Sequence, residues 1–166
     1  MATPTTLPAT FVSGDVLTAT QMNNLRGAFR VLQVIYGETT TAVDSSSTTY
    51  ADTGLTATIT PSSTSSKVLV LVNQNGLRKS PGNTENAINI RVLRGATQIN
   101  QNLLIGYTNS LLDLRSGSFS VSILDSPATT SATTYKTTFS NNSATAVVTV
   151  QQDSSRSTMI LMEISA

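Results

Sequence analysis

Between Lys67 and Val72 the chain reads Lys-Val-Leu-Val-Leu-Val, and between Met159 and Met162 it reads Met-Ile-Leu-Met, so both faces of each run are apolar. Runs this short, bounded by polar residues, read as strands covered on two sides. The segment Ser118-Phe119-Ser120-Val121-Ser122-Ile123 behaves differently, turning Phe119, Val121 and Ile123 to one side and three serines to the other. Such alternation marks a strand with one wet face. A sheet that mixes the two kinds of strand has a core face and a second face that also needs cover. In a sandwich without covering helices the natural cover is another copy of the chain; an N-terminal helix or a long loop is the alternative. Val68, Val70 and Leu161 are the expected subunit-interface positions.

Strand grammar fills the rest of the body. Val31–Tyr36, Thr48–Ala51, Leu55–Thr60, Lys67–Asn73, Ala87–Leu93, Thr97–Leu104, Ser118–Leu124, Thr134–Ser140, Thr145–Gln151 and Thr158–Ile164 are each candidates, punctuated by Gly, Pro, Asn and Ser. Short strands at this spacing with no helices between them predict an all-β sandwich or jelly roll. No internal repeat is visible, which disfavours a β-helix spike. At 166 residues the chain suffices for one core and an appendage. The expected division is an arm and short helix over 1–35 and a sandwich over 36–166.

The arm carries a helix start that can be read residue by residue. Thr18 and Gln21 stand at capping-box spacing after the turn at Phe11-Val12-Ser13-Gly14-Asp15, and Leu17 and Met22 occupy the two positions of a hydrophobic staple. From there Met22, Leu25, Phe29 and Leu32 recur at steps of three and four, the stripe of a helix that packs along a seam. A helix of barely ten residues is marginal alone. It must lean on its own body, on sister chains or on another protein.

Composition narrows the chemistry. Only 11% of residues are charged and the formal net charge is +1, so the long-range field that gathers nucleic acid is missing. Cysteine and histidine are absent, which removes thiolate nucleophiles, the common triads and the usual zinc sites. The nine acids, Asp15, Glu38, Asp44, Asp52, Glu85, Asp113, Asp125, Asp153 and Glu163, are scattered singly, mostly in turn-like contexts. Neither a phosphate loop, a dinucleotide fingerprint nor a calcium loop is present, so no catalysis, cofactor or metal is expected. The first residues lack the basic and apolar regions of a secretory signal and no segment is long enough to span a membrane; synthesis and folding in a cytosol are expected. Binding is better supported. Asn73 to Asn86 reads as a polar loop whose Asn75, Arg78, Lys79 and Asn83 are candidates to hydrogen-bond sugar hydroxyls, with Tyr107 as a stacking face.

The Phe11–Leu25 segment resembles the N-terminal segment of many tailed-bacteriophage tail and fibre proteins. Thr53-Gly54-Leu55-Thr56, Ile59-Thr60-Pro61-Ser62 and Ser66–Val70 fit the pattern of small phage fibre domains, as do Ile123-Leu124-Asp125-Ser126-Pro127, Thr133–Lys136 and Ser157–Ile164. The resemblance implies a jelly roll of the C1q/TNF kind, assembled as a homotrimer, with Phe11, Leu17, Met22, Leu25 and Phe29 docking into another virion protein of tail, baseplate or capsid. It implies a non-enzymatic short tail fibre or fibre tip facing host-surface glycan, assembled in the host cytoplasm and released on lysis. A capsid decoration or head-fibre protein is the alternative, and a polysaccharide depolymerase a third.

Overall fold

Side chains that alternate between inside and outside carry ten strands into two antiparallel sheets. They are β1 (Val31–Thr39), β2 (Val43–Ser45), β3 (Ala51–Ile59), β4 (Lys67–Lys79), β5 (Ile88–Arg94), β6 (Thr97–Ile105), β7 (Leu114–Asp125), β8 (Thr133–Asn141), β9 (Val148–Val150) and β10 (Ser157–Ile164). The computed structural model describes Ala19 and residues 31–81, 85–144 and 146–165. The arm residues Phe11, Leu17, Met22, Leu25 and Phe29 lie outside the described residues. Residues 31–35, expected to belong to the arm, are instead the start of β1.

The first sheet runs β1-β10-β4-β9-β2 with β7 on the free flank of β4, and the second runs β3-β8-β5-β6. Five pairings are nested in sequence: β5 with β6, β4 with β7, β3 with β8, β2 with β9, and β1 with β10. A long hairpin wound up on itself produces that order.

Between the sheets lie two apolar clusters. Leu55, Ile59, Val68, Val70, Val72, Val92, Tyr135, Met159 and Leu161 fill one, while Leu77, Ile88, Ile90, Phe139, Val148 and Val150 fill the other. Val68, Val70 and Leu161 are fully buried here, which corrects their expected place at a subunit interface. The period of a strand explains the difference: one of the two apolar faces of β4 and β10 is the chain's own core, and the outward face belongs to their neighbours Leu69, Leu71, Ile160 and Met162.

A buried polar belt crosses the interior. Thr137 Oγ1 donates to Gln74 Oε1 at 2.9 Å and sits 2.5 Å from Thr53 Oγ1, and Gln74 Nε2 donates to Ser157 Oγ at 3.0 Å. Each group has a partner, as burial requires. Nearer the arm, two acids tie the fold. Asp125 on β7 accepts from Arg94 Nη1 at 2.9 Å and from Tyr135 Oη at 2.8 Å, joining the two sheets. Burial, then that hydrogen bond, raises the Tyr135 phenol above its ordinary value. Burial also pushes Glu163 up, but hydrogen bonds from Gln33, Ser62 and Ser66 outweigh it and hold its carboxyl at about 2.

Sequence and structure part company at several places in the sheets, and β2 at Val43–Ser45 is a strand absent from the expected set. Thr48–Ala51 and Leu55–Thr60 are not separate strands, because β3 runs from Ala51 to Ile59 through a bulge. The expected loop from Asn73 begins instead as the second half of β4, which continues to Lys79.

Candidate functional site

The sheet breaks along one line, and the break makes a cleft. β9 and β10 both pair antiparallel with β4: Thr149 lies opposite Arg78, and Thr158 opposite Asn73. They are therefore one strand interrupted by an excursion from Gln151 to Arg156, which takes four more residues than β4 needs to cover the same gap. On the other flank of β4, the ladder with β7 shifts register between Asn75 and Leu77 and again between Leu77 and Arg78. Bulges of this kind re-aim side chains and gather near binding sites.

Backbone strain concentrates at the same level. Gln151, Asp153 and Ser154 all hold positive φ, at 54°, 57° and 56°, a conformation costing a side-chain-bearing residue about 1–2 kcal/mol. Gly76 sits at φ 63°, and a Cβ there would lie 2.5 Å from the Gln152 nitrogen. Gly117, across the bulge at φ 76°, faces open space. Substitute bonds hold the excursion in place. The Gln151 N–H donates to the Asn75 carbonyl at 2.9 Å, the Asn75 N–H donates to Ser157 Oγ at 2.9 Å, and the Asn75 amide nitrogen donates to the Arg156 carbonyl at 2.5 Å. Strain that the surroundings over-determine in this way is a feature of ligand clamps.

The result is an open cleft of about 620 Å³. Arg78 from β4, Arg115 from β7 and Arg156 from the excursion line it, with Asn75, Ser118 and Asp153 between them. Each arginine is steadied by an acid. Arg78 forms a two-pronged pair with Asp113 at 2.8 and 2.9 Å, Arg115 bonds Asp153, and Arg156 lies 3.2 Å from Glu38. The hydrogen bond from Arg78 holds the Asp113 carboxyl below its ordinary range; that from Gln152, followed by that from Arg115, does the same for Asp153. A general acid requires the opposite shift. Both carboxylates therefore serve as fixed negative charges, and the cleft can present hydrogen-bond donors and charge. Among the described residues no group of acids is placed to hold a metal ion.

Of the five expected ligand residues, Asn75 and Arg78 reach this cleft. Lys79 does not; it points to the other face of β4, fully buried, and its Nζ donates to the Ser110 carbonyl at 2.6 Å. Tyr107 is exposed on the connection from β6 to β7 and takes no part in the cleft, and Asn83 lies outside the described residues. Arg115, Asp153 and Arg156 were missed because the residues around the cleft come from separate strands. The polar run Gln151-Gln152-Asp153-Ser154-Ser155-Arg156 between two apolar strands was the available signal.

Next to the cleft, the outward side of the first sheet changes character row by row. Val34, Met162, Leu69 and Leu124 form one cross-strand row, followed by Tyr36, Ile160, Leu71 and Ser122, then by Glu38, Thr158, Asn73 and Ser120. Val34, Tyr36 and Leu124 are 55%, 53% and 62% exposed. The apolar rows lie at the end where β1 leaves the arm, since Val31 pairs with Ile164 and Ile164 with Lys67. Comparison with protein-family models and with curated proteins finds no match for this chain.

Proposed function

We propose that this chain is a non-enzymatic virion structural protein of the short tail-fibre or fibre-tip kind, a homotrimeric jelly roll anchored by its N-terminal arm. One observation carries the reading: in a single sheet β1, the strand that follows the arm in sequence, starts at one end, the cleft lies at the other, and an apolar band runs between. Asn75 is eight residues along β4 from Lys67, about 26 Å at the strand rise of roughly 3.3 Å per residue. Anchorage and recognition thus sit at opposite poles. The nested pairings described above support the jelly-roll order, in which β1, β10, β4 and β7 face β3, β8, β5 and β6.

The outward band of Val34, Tyr36, Leu69, Ile160 and Met162 supports self-association, because soluble monomers rarely leave so continuous an apolar surface in water. Three copies would also present three clefts in parallel, and such multiplicity raises weak single-site affinity by orders of magnitude. In this reading the cleft meets host-surface glycan while Phe11, Leu17, Met22, Leu25 and Phe29 dock into the tail or baseplate.

The test is location and mass together. Antibody labelling of intact particles under the electron microscope should find the protein at the tail, and sedimentation should give three times the 17.5 kDa chain mass. Label spread over the head would favour the capsid-decoration alternative. A monomer would overturn the assembly.

A further inference from the structure

Resting on the reading of the cleft as the recognition site, we propose that its ligand is an acidic saccharide, held through a carboxylate by Arg115 and Arg156. The residues lining the cleft include three guanidiniums and one carboxylate, Asp153. Arg115 and Arg156 are each 62% exposed, so their planar N–H forks are presented to solvent across the opening. Such forks match a carboxylate in two-pronged fashion, and the charge assistance roughly doubles the strength of each bond.

What is missing from the cleft points the same way. Among the described residues none that lines it is aromatic, so they offer an uncharged sugar no ring on which to stack. Polar groups suited to hydroxyls do line it, in Asn75, Ser118 and Ser155. Gly117, with open space where a Cβ would stand, lets a pyranose ring come close to the backbone. Arg78 plays a different part. Asp113 engages its Nε and one Nη, which fixes it as a wall of the cleft, whereas Arg115 and Arg156, each more than half exposed, are adaptable.

The experiment titrates the full-length protein with a galacturonic acid tetrasaccharide and with its fully methyl-esterified form, following amide shifts by nuclear magnetic resonance. The acid form should move the Asn75, Gly76 and Gly117 amides and bind about tenfold more tightly than the ester, the worth of one charge-assisted pair. Arg115→Gln and Arg156→Gln should each weaken it several-fold, Lys136→Gln on the other sheet should leave it unchanged, and added salt should weaken it. Equal binding of acid and ester overturns the proposal. So does equal displacement by inorganic phosphate, which would mark a site for any anion, and so does undiminished binding by both arginine variants. Absence of binding by a protein that sediments as a trimer overturns this inference and leaves the assembly standing; a binding-competent monomer does the reverse.

Discussion

The two ends of the first sheet's outer face are built from the same four strands, yet they are constructed in opposite ways. At the arm end the ladder is regular from Val34 onward, the rows are apolar, and their side chains face outward. At the cleft end the ladder is broken by bulges and an excursion, the rows are polar, and every charged group is matched to another. A regular pleat makes a flat surface on which a second protein surface can lie, whereas a broken one makes a concavity with fixed donors. On the proposed reading, regularity and irregularity within one sheet separate association from recognition.

The sharpest way to break this contrast is to place a charge on each face of β4 in turn. Val70→Asp buries an unpaired carboxylate in the core and should remove about 5 kcal/mol or more, comparable with the whole stability of a domain; circular dichroism should show an unfolded chain. Leu69→Asp, one residue away on the outer face, should keep the fold and lower the sedimenting mass. If Leu69→Asp leaves the mass of the assembly unchanged, the apolar rows are not the association surface.

At the cleft end, Gly76→Ala forces a Cβ against the Gln152 backbone and should cost about 3 kcal/mol in chemical denaturation, more than the 1–2 kcal/mol of the left-handed conformation alone. Asp125→Asn at the arm end removes the charge that joins Arg94 and Tyr135 across the sheets and should cost about 2 kcal/mol. The last test is an acid titration. Because the folded Glu163 carboxyl lies at about 2, below its ordinary 4.5, its contribution is complete above pH 4.5 and is lost as the pH falls toward 2. Glu163→Gln should flatten that stretch of the stability profile; an unchanged slope would assign it to other carboxylates.

Most of the sandwich was legible because apolar period-two patterning is a direct imprint of burial. Ser118–Ile123 gave the core face of β7 correctly, and the doubly apolar runs correctly marked β4 and β10 as strands with two apolar faces. Which face met the core was not readable, since in Val-Leu-Val-Leu both sets are apolar; hence Val70 was placed outside when Leu69 is. The second half of β4 was illegible for another reason. Asn73-Gln74-Asn75-Gly76 has the composition of a turn, and only the buried partners Thr137 and Ser157 allow Gln74 to sit inside a strand. The cleft was half visible, through Asn75 and Arg78; Arg115 and Arg156 join them only once the strands are paired.

The excursion from Gln151 to Arg156 leaves the ladder and rejoins it on the same neighbour, so its length is uncoupled from the pairing of every other strand. Residues could be inserted or exchanged at its tip, around Asp153 and Ser154, without shifting a rung on either side. A scaffold of this type can vary what it grips at one point while the rest of its sequence stays constant, and the same point is a ready position for grafting a foreign peptide.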